Sequence, residues 1–118
     1  MQYILLAYAD ANTFLQMSPP EQKQAEGAYQ AFTEALTRAG AYKGSNRLQP
    51  TSTATTVRTA NGKTQVLNGP YVETKEQLGG YYLIDVPDLD AALSWAARCP
   101  ASMHGTVEVR PVWVKQQS

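Results

Sequence analysis

The chain has 118 residues, of which 43% are apolar and 17% charged, and its ten basic and ten acidic residues cancel. This length and composition predict a single globular domain, residues 1–118, with enough chain to bury one core. The neutral balance disfavours direct nucleic-acid binding. Because Cys99 is the only cysteine, an intramolecular disulfide and a cysteine-based zinc site are excluded.

The first strand is predicted at residues 2–8, an apolar and aromatic run of strand length. The run is too short for a signal peptide or a membrane span, and no basic leader precedes it. We therefore expect a cytoplasmic protein that does not enter the membrane. The connection from Asp10 to Met17 is predicted to be a loop.

A helix is predicted to begin after Ser18. Ser18 as N-cap and Glu21 three residues later form a capping box, and Pro19 occupies the first helical position, where its missing N–H costs nothing. Gly40 is placed to end the helix. Apolar residues at helical spacing predict a stripe that packs on the core, namely Ala25, Ala28, Tyr29, Phe32, Ala35, Leu36 and Ala39.

Three strands are predicted next. The β-branched run within Leu48 to Thr59 predicts the second strand of the chain. Asn61-Gly62 is typical of a tight hairpin, with Thr64 to Leu67 as the returning strand. After Gly79-Gly80, the run from Tyr81 to Val86 predicts a central strand of the sheet.

A second helix and a last strand complete the chain. Asp88 is the predicted N-cap, and Pro100 should end the helix near Arg98 or Cys99. Thr106 to Val114 is the predicted last strand. The helical residues expected to face the core are Leu89, Ala92, Leu93, Ala96 and Ala97.

The element order β-α-β-β-β-α-β predicts an α+β fold. It is the ferredoxin-like split βαβ arrangement, an antiparallel sheet with two helices on one face, in which the second strand is elaborated into an extra β-hairpin. Two helices can cover only one face of such a sheet. The other face must therefore meet water or another sheet.

The predicted strands carry tyrosines toward both faces of the sheet, and the last strand adds two charged residues on a single face. Glu108 and Arg110 lie two residues apart, so they share a face of the last strand. An aromatic face with a few charges predicts a homodimer in which two sheets meet, with a small-molecule pocket between them. Glu108 and Arg110 would either line that pocket or form a structural ion pair. The tyrosines concerned are Tyr3, Tyr8, Tyr81 and Tyr82.

The run Asn68-Gly-Pro-Tyr-Val-Glu-Thr-Lys-Glu76 resembles the signature of the DGPF proteins, also called YCII-related. The stretches at 1–8, 55–58, 77–86, 88–98 and 107–112 are similar to that family as well. Asn68 replaces the aspartate that usually opens the signature, and Tyr71 replaces phenylalanine. Asparagine keeps the turn-forming ability of aspartate but not its charge.

The resemblance implies a homodimeric α/β barrel built from two ferredoxin-like subunits. Family members are often encoded beside, or fused to, sigma factors, which implies a sigma-factor-type protein partner. The wider superfamily includes isomerases, dehydrochlorinases and monooxygenases, mostly without a metal or organic cofactor, so neither is expected here. Some relatives carry a His–Asp pair near the first helix, where this chain has no histidine.

Several side chains are candidates for chemistry. Glu73 could act as a base while Lys75 holds an anion, or the residues around Lys75 could brace the turn through hydrogen bonds to the backbone. His104, the only histidine, is a candidate proton shuttle or plain surface. Glu108 is a further candidate for proton transfer. The candidate ligand-binding residues are Lys75, Arg58, Arg110, Tyr81 and Tyr82.

Two functions are consistent with this sequence. The first is a small-ligand-binding or regulatory module associated with sigma-factor-type signalling. The alternative is a cofactor-independent enzyme, similar to an isomerase or lyase, that acts on a small anionic or aromatic molecule between the two sheets.

Overall fold

The structure is a computed structural model that describes residues 1–115. Six strands and four helices follow one another along the chain, with a short 3₁₀ turn at Thr51–Thr53. The strands are β1 (Gln2–Ala9), β2 (Tyr42–Arg47), β3 (Thr55–Ala60), β4 (Lys63–Asn68), β5 (Gln77–Asp85) and β6 (Thr106–Pro111). The helices are α1 (Ala11–Leu15), α2 (Pro19–Arg38), α3 (Leu89–Arg98) and α4 (Ala101–His104).

Four of the strands form the main sheet in the order β2-β5-β1-β6, and every neighbouring pair is antiparallel. Residues that alternate along β1 and β5 are buried against α2 and α3, so both long helices pack on one face. The predicted antiparallel sheet with two helices on one face is confirmed. The opposite face, called here the open face, carries half-buried residues such as Ile4, Leu6 and Leu83.

The core lies between the sheet and the two long helices. Edge-on aromatic contacts join Phe32 of α2 to Tyr82 of β5 and to Trp95 of α3, with ring centroids 5.0 and 6.2 Å apart. Cys99 is also part of this core, and burial raises the pKa of its thiol, which keeps it protonated. The largest side chains with almost no exposure are Leu5, Leu36, Ile84 and Cys99.

Local signals placed α2 correctly. The Ser18 hydroxyl accepts from the Glu21 N–H while the Glu21 carboxylate accepts from the Ser18 N–H, so the capping box is present. Gly40 follows the helix with a φ of +71°, as expected of a helix-ending glycine. Within the predicted stripe, however, only Phe32 and Leu36 are buried; Ala28 and Ala39 are exposed.

The second strand of the main sheet is not where the sequence predicted it. Tyr42–Arg47 forms that strand, whereas the β-branched run begins a separate two-stranded sheet at Thr55. Tyr42–Arg47 contains glycine, serine and asparagine and has weak strand preference on its own. Pairing with β5 decides its conformation.

Other predictions need smaller corrections. The connection after β1 is not all loop, because Asp10 caps the short helix α1. β5 begins at Gln77, four residues earlier than predicted, and β6 ends at Pro111. On α3, Ala92 and Ala96 face the core, but Leu89 and Leu93 are each 48% exposed. Ala97 is exposed as well.

The hairpin β3–β4 forms an arm whose strands, within the described residues, pair only with each other. Its turn is the predicted one: Asn61 and Gly62 both have positive φ, 53° and 77°, which matches a primed two-residue turn. Val57, Val66 and Leu67 on the arm are more than half exposed. No helix within residues 1–115 is long and apolar enough to cross a membrane.

Candidate functional site

A cavity of about 360 Å³ lies on the helix side of the sheet, where β1 ends and β5 begins. Ala7, Ala9 and Gly80 contribute its sheet wall, and α2 contributes Ala25 and Tyr29. The short helix α1 and the connection from β2 to β3 enclose the remaining sides. Most of the wall is apolar. The polar and charged residues at this cavity include Asp10, Thr13, Glu26, Tyr29, Arg47 and His104.

The stretch that directly follows the signature, residues 77–80, forms part of this wall. The pairing of β1 with β5 shifts by one residue between Ala7 and Tyr8, which leaves Gly79 as a bulge. At Gly80 an added Cβ would lie 2.9 Å from the carbonyl oxygen of Asn46, so only glycine allows β2 to approach this closely. The Gly79-Gly80 pair therefore brings three strands together beside the cavity.

Helix α1 lies across the cavity and is fastened by side chains. The Asp10 carboxylate accepts from the Asn12 N–H at 3.0 Å and so caps the helix. The Gln22 amide of α2 donates to the carbonyl oxygens of Phe14 and Met17, both at 3.2 Å. The guanidinium of Arg47 lies 4.3 Å from the centre of the Phe14 ring, a cation–π contact.

Tyr29 extends from α2 to the cavity. Burial raises the pKa of its phenol to about 12, so the hydroxyl keeps its proton throughout the neutral range. The positive charge of Arg47 lowers the pKa of the same phenol, but by less than burial raises it. Among residues 1–115, no hydrogen bond joins the Tyr29 hydroxyl to another side chain or to the backbone.

Arg47 and Glu26 form a loose pair beside the cavity. Their nearest nitrogen and oxygen atoms are 3.9 Å apart, and the two side chains are 63% and 62% exposed. An exposed pair at this separation contributes little to stability. Its charges can therefore be rearranged at small cost.

His104 is the one catalytic or ligand-binding candidate from the sequence that lines the cavity. It is the last residue of α4, and Gly105 behind it lies against the end of β1. Asp10 directly follows the same end of β1 and lines the same cavity. A histidine and a carboxylate at one cavity can together hold or move a proton.

The charged turn of the signature lies outside the cavity. Its hydrogen bonds are of the bracing kind: the Thr74 hydroxyl donates to the Glu76 carbonyl, and the Gln77 amide donates to the Thr74 carbonyl at 2.8 Å. The Glu76 carboxylate accepts from Thr106 at 2.8 Å and ties the turn to β6. Glu73 and Lys75 are exposed, and their roles in catalysis and anion binding stay predictions.

The remaining candidates are dispersed. Glu108 and Arg110 share the open face, as their spacing predicted, and form an ion pair there. Tyr81 on the same face accepts from the Asn46 amide at 2.9 Å. Tyr82 lies in the core, where its hydroxyl is 2.9 Å from that of Thr33. Arg58 lies on the hairpin arm, 5.6 Å from the centre of the Tyr71 ring.

Three cavity residues were not singled out from the sequence as site residues. Tyr29 was assigned to the core stripe of α2, although its hydroxyl is the kind of polar tip that a pocket uses. Arg47 fell outside the predicted strands because β2 was placed too late along the chain. Asp10 directly follows the first strand. A charged residue at the end of a central strand is the signal that could have identified it as a site residue.

The fold and this cavity define a small α+β protein with one helix-covered sheet face and a pocket at the end of its central strands. A profile of the YCII-related domain matches residues 1–115. An uncharacterised protein of Rhizobium meliloti (strain 1021) is 38% identical over 114 residues, which cover 95% of this chain and 92% of that protein. The chain belongs to the YCII-related family, as the signature predicted.

A solved structure has a similar fold. It is the 5-chloro-2-hydroxyhydroquinone dehydrochlorinase of Burkholderia phenoliruptrix AC1100 in complex with 2,5-dihydroxybenzoquinone. The TM-score is 0.55 at 12% sequence identity, and the match covers 96% of this chain and 94% of the other. At this identity the likeness concerns the fold alone.

Proposed function

We propose that this protein binds a small molecule in the cavity between the sheet, α1 and α2. The observation that carries the proposal is the cavity itself, about 360 Å³ with mostly apolar walls and a few polar groups around it. Small-molecule sites usually have this composition, and the volume falls near the lower end of their range of about 300–1,000 Å³. The enzyme of similar fold was solved with a small cyclic ligand, which supports the proposal as far as the fold extends.

A cavity-filling variant tests this function directly. Ala25 lines the cavity from α2, so Ala25→Trp should fill it and abolish the binding of small molecules found by a fragment screen. Ala28→Trp is the matched control, since Ala28 is exposed on the same helix and does not line the cavity. Binding is measured by ligand-observed NMR and thermal shift. Fragments that bind Ala25→Trp as well as the unaltered protein would refute the proposed site.

A cofactor-independent enzyme is the second candidate, favoured by the shared position of Asp10 and His104 at the cavity. His104 would exchange a proton with a bound molecule, and Asp10 would stabilise the charged imidazole or act as base. Screen hits incubated with the protein should then be converted to a product of altered mass. His104→Gln should abolish this conversion while binding persists. Asp10→Asn removes the charge but keeps a side chain that can cap α1, so any loss of conversion in this variant is due to the charge and not to the cap.

A regulatory role is compatible with either activity. In such a role, binding of a small molecule in the cavity would control binding of a sigma-factor-type partner. The exposed apolar residues of the hairpin arm offer a surface for that partner. A co-expressed sigma factor should then co-purify with the protein, and Val57→Lys with Val66→Lys should abolish this. No co-purification, or none that depends on the arm, would refute this role.

A further inference from the structure

The cavity presents two hydrogen-bond donors on neighbouring side chains. Tyr29 reaches it from α2 and Arg47 from β2. The Arg47 guanidinium lies 3.9 Å from the carboxylate of Glu26, which precedes Tyr29 by about one turn on α2, so one small ligand group can contact both donors. The donors come from different elements of the main fold and not from the hairpin arm.

Both donors are available to a ligand. The Tyr29 hydroxyl has no hydrogen-bond partner within the described part of the chain, and its high pKa keeps it a donor at neutral pH. The Arg47 guanidinium has five N–H groups, and its contacts here are the Phe14 ring and a carboxylate oxygen at 3.9 Å. That distance is too long for a hydrogen bond.

The acids at the cavity are less available than the donors. The Asp10 carboxylate is engaged as the cap of α1. The loose contact between Glu26 and Arg47 affects both partners equally. The difference therefore lies between the engaged Asp10 carboxylate and the Tyr29 hydroxyl, which is free within the described residues. An acceptor with negative charge fits this distribution better than a donor with positive charge.

We infer that the ligand is a small, largely apolar molecule with a carboxylate, whose oxygens accept from the Tyr29 hydroxyl and the Arg47 guanidinium. A guanidinium matches the two oxygens of a carboxylate. A phosphate would bring further charged oxygens that the apolar wall cannot satisfy. This inference rests on the proposed function, because it names the ligand class of the same cavity.

Benzoate and nitrobenzene are suitable probes because they have nearly the same shape and differ in charge. Benzoate should bind at least about tenfold more tightly than nitrobenzene, as a hydrogen bond to a charged group can supply. Dissociation constants are measured from amide chemical-shift changes in two-dimensional NMR. The amides of Gly79 and Gly80 report on the cavity wall.

Two variants assign the carboxylate contact. Arg47→Met should weaken benzoate binding about tenfold or more and leave nitrobenzene within about twofold. Tyr29→Phe should weaken benzoate by a smaller factor, because it removes one neutral donor. Arg58→Met is the matched control, since it removes the same charge from the hairpin arm, away from the cavity. Circular dichroism checks that each variant folds.

The outcomes separate the inference from the function on which it rests. Equal affinity for the two probes, or full benzoate affinity in both Arg47→Met and Tyr29→Phe, overturns the inference and leaves a small-molecule site. No shift at the cavity amides with either probe overturns both. Preferential benzoate binding that is lost in Arg47→Met and kept in Arg58→Met supports both.

Discussion

Gly105 lies where the backbone of β1 leaves no room for a side chain. An added Cβ there would lie 2.0 Å from the carbonyl oxygen of Tyr8 and 3.1 Å from the Cα of Ala9. These are main-chain atoms, so the clash cannot be relieved by turning a side chain. The same close approach holds His104 at the cavity.

Gly105→Ala should therefore destabilise the protein by about 1–3 kcal/mol through overpacking. Gly27→Ala is the control at another glycine. Nothing lies within 4 Å of an added Cβ at that exposed position of α2, so the change should stabilise the helix by about 0.5–1 kcal/mol. Urea unfolding measures both values. An unchanged free energy of unfolding in Gly105→Ala would contradict the close approach.

Glu21 gives the capping box a pH dependence. Hydrogen bonds from the Ser18 hydroxyl and the Ser18 backbone N–H lower the pKa of its carboxyl in the folded state below the usual 4.5. Its contribution to stability is therefore present above the unfolded pKa. That contribution is lost as the pH falls through the lowered pKa of the folded state.

The free energy of unfolding should thus fall more steeply on acidification in the unaltered protein than in Glu21→Gln. Glutamine keeps a capping-box side chain but does not titrate near that pH. Urea unfolding between pH 3 and 7 provides the comparison. Identical slopes in the two proteins would show that the carboxylate is not hydrogen-bonded in the folded state.

At the scale of elements, local signals predicted α2 well and β2 poorly. Each end of α2 has its own local signal: the capping box with Pro19 at the start, and Gly40 at the end. The bounds of α2 therefore follow from the sequence. Tyr42–Arg47 is a strand because β5 pairs with it, which is a contact between distant parts of the chain. Misplacing β2 also hid Arg47, so an error in one element removed a residue from the candidate site.

The signature segment had a similar outcome. The sequence indicated a polar turn that side chains could brace, and hydrogen bonds from the side chains of Thr74 and Gln77 to the backbone are present there. The cavity is lined instead by residues 77–80, the start of β5, which follows the signature. Its place there depends on a bulge against β1 that no local pattern encodes.

The hairpin arm should be the least protected sheet of the protein. Its strands pair only with each other, and a two-stranded hairpin is marginally stable by itself in water. Amides of β3 and β4 should therefore exchange with deuterium much faster than those of β1 and β5, which are central. Hydrogen-exchange mass spectrometry resolves these segments. Equal protection would mean that a partner covers the arm in solution.

At the scale of the whole molecule, the homodimer is a prediction that concerns the open face. Ile4, Leu6 and Leu83 are half-buried there without a second layer from residues 1–115, and apolar residues in such a row suit a second sheet. We expect the protein in solution to have twice the 12.9 kDa mass of one chain. Light scattering coupled to size exclusion measures this mass.

Leu83→Arg should convert that dimer to a monomer, because it places a charge in the middle of the open face. Leu93→Arg is the matched control: Leu93 is 48% exposed on α3, on the other side of the molecule, and its replacement should leave the mass unchanged. A dimer that persists in Leu83→Arg would place the interface elsewhere.

Helix α1 is attached to the cavity without being part of the core. Side chains at positions 12–15 contribute none of the buried core residues, and α1 is held mainly through Gln22, Arg47 and its own cap. Thr13 and Leu15 are exposed, so they can be replaced at little cost in folding stability while their replacement alters the wall of the cavity. Selection, natural or in the laboratory, can therefore change the ligand preference of the proposed site through these two residues and leave the fold intact.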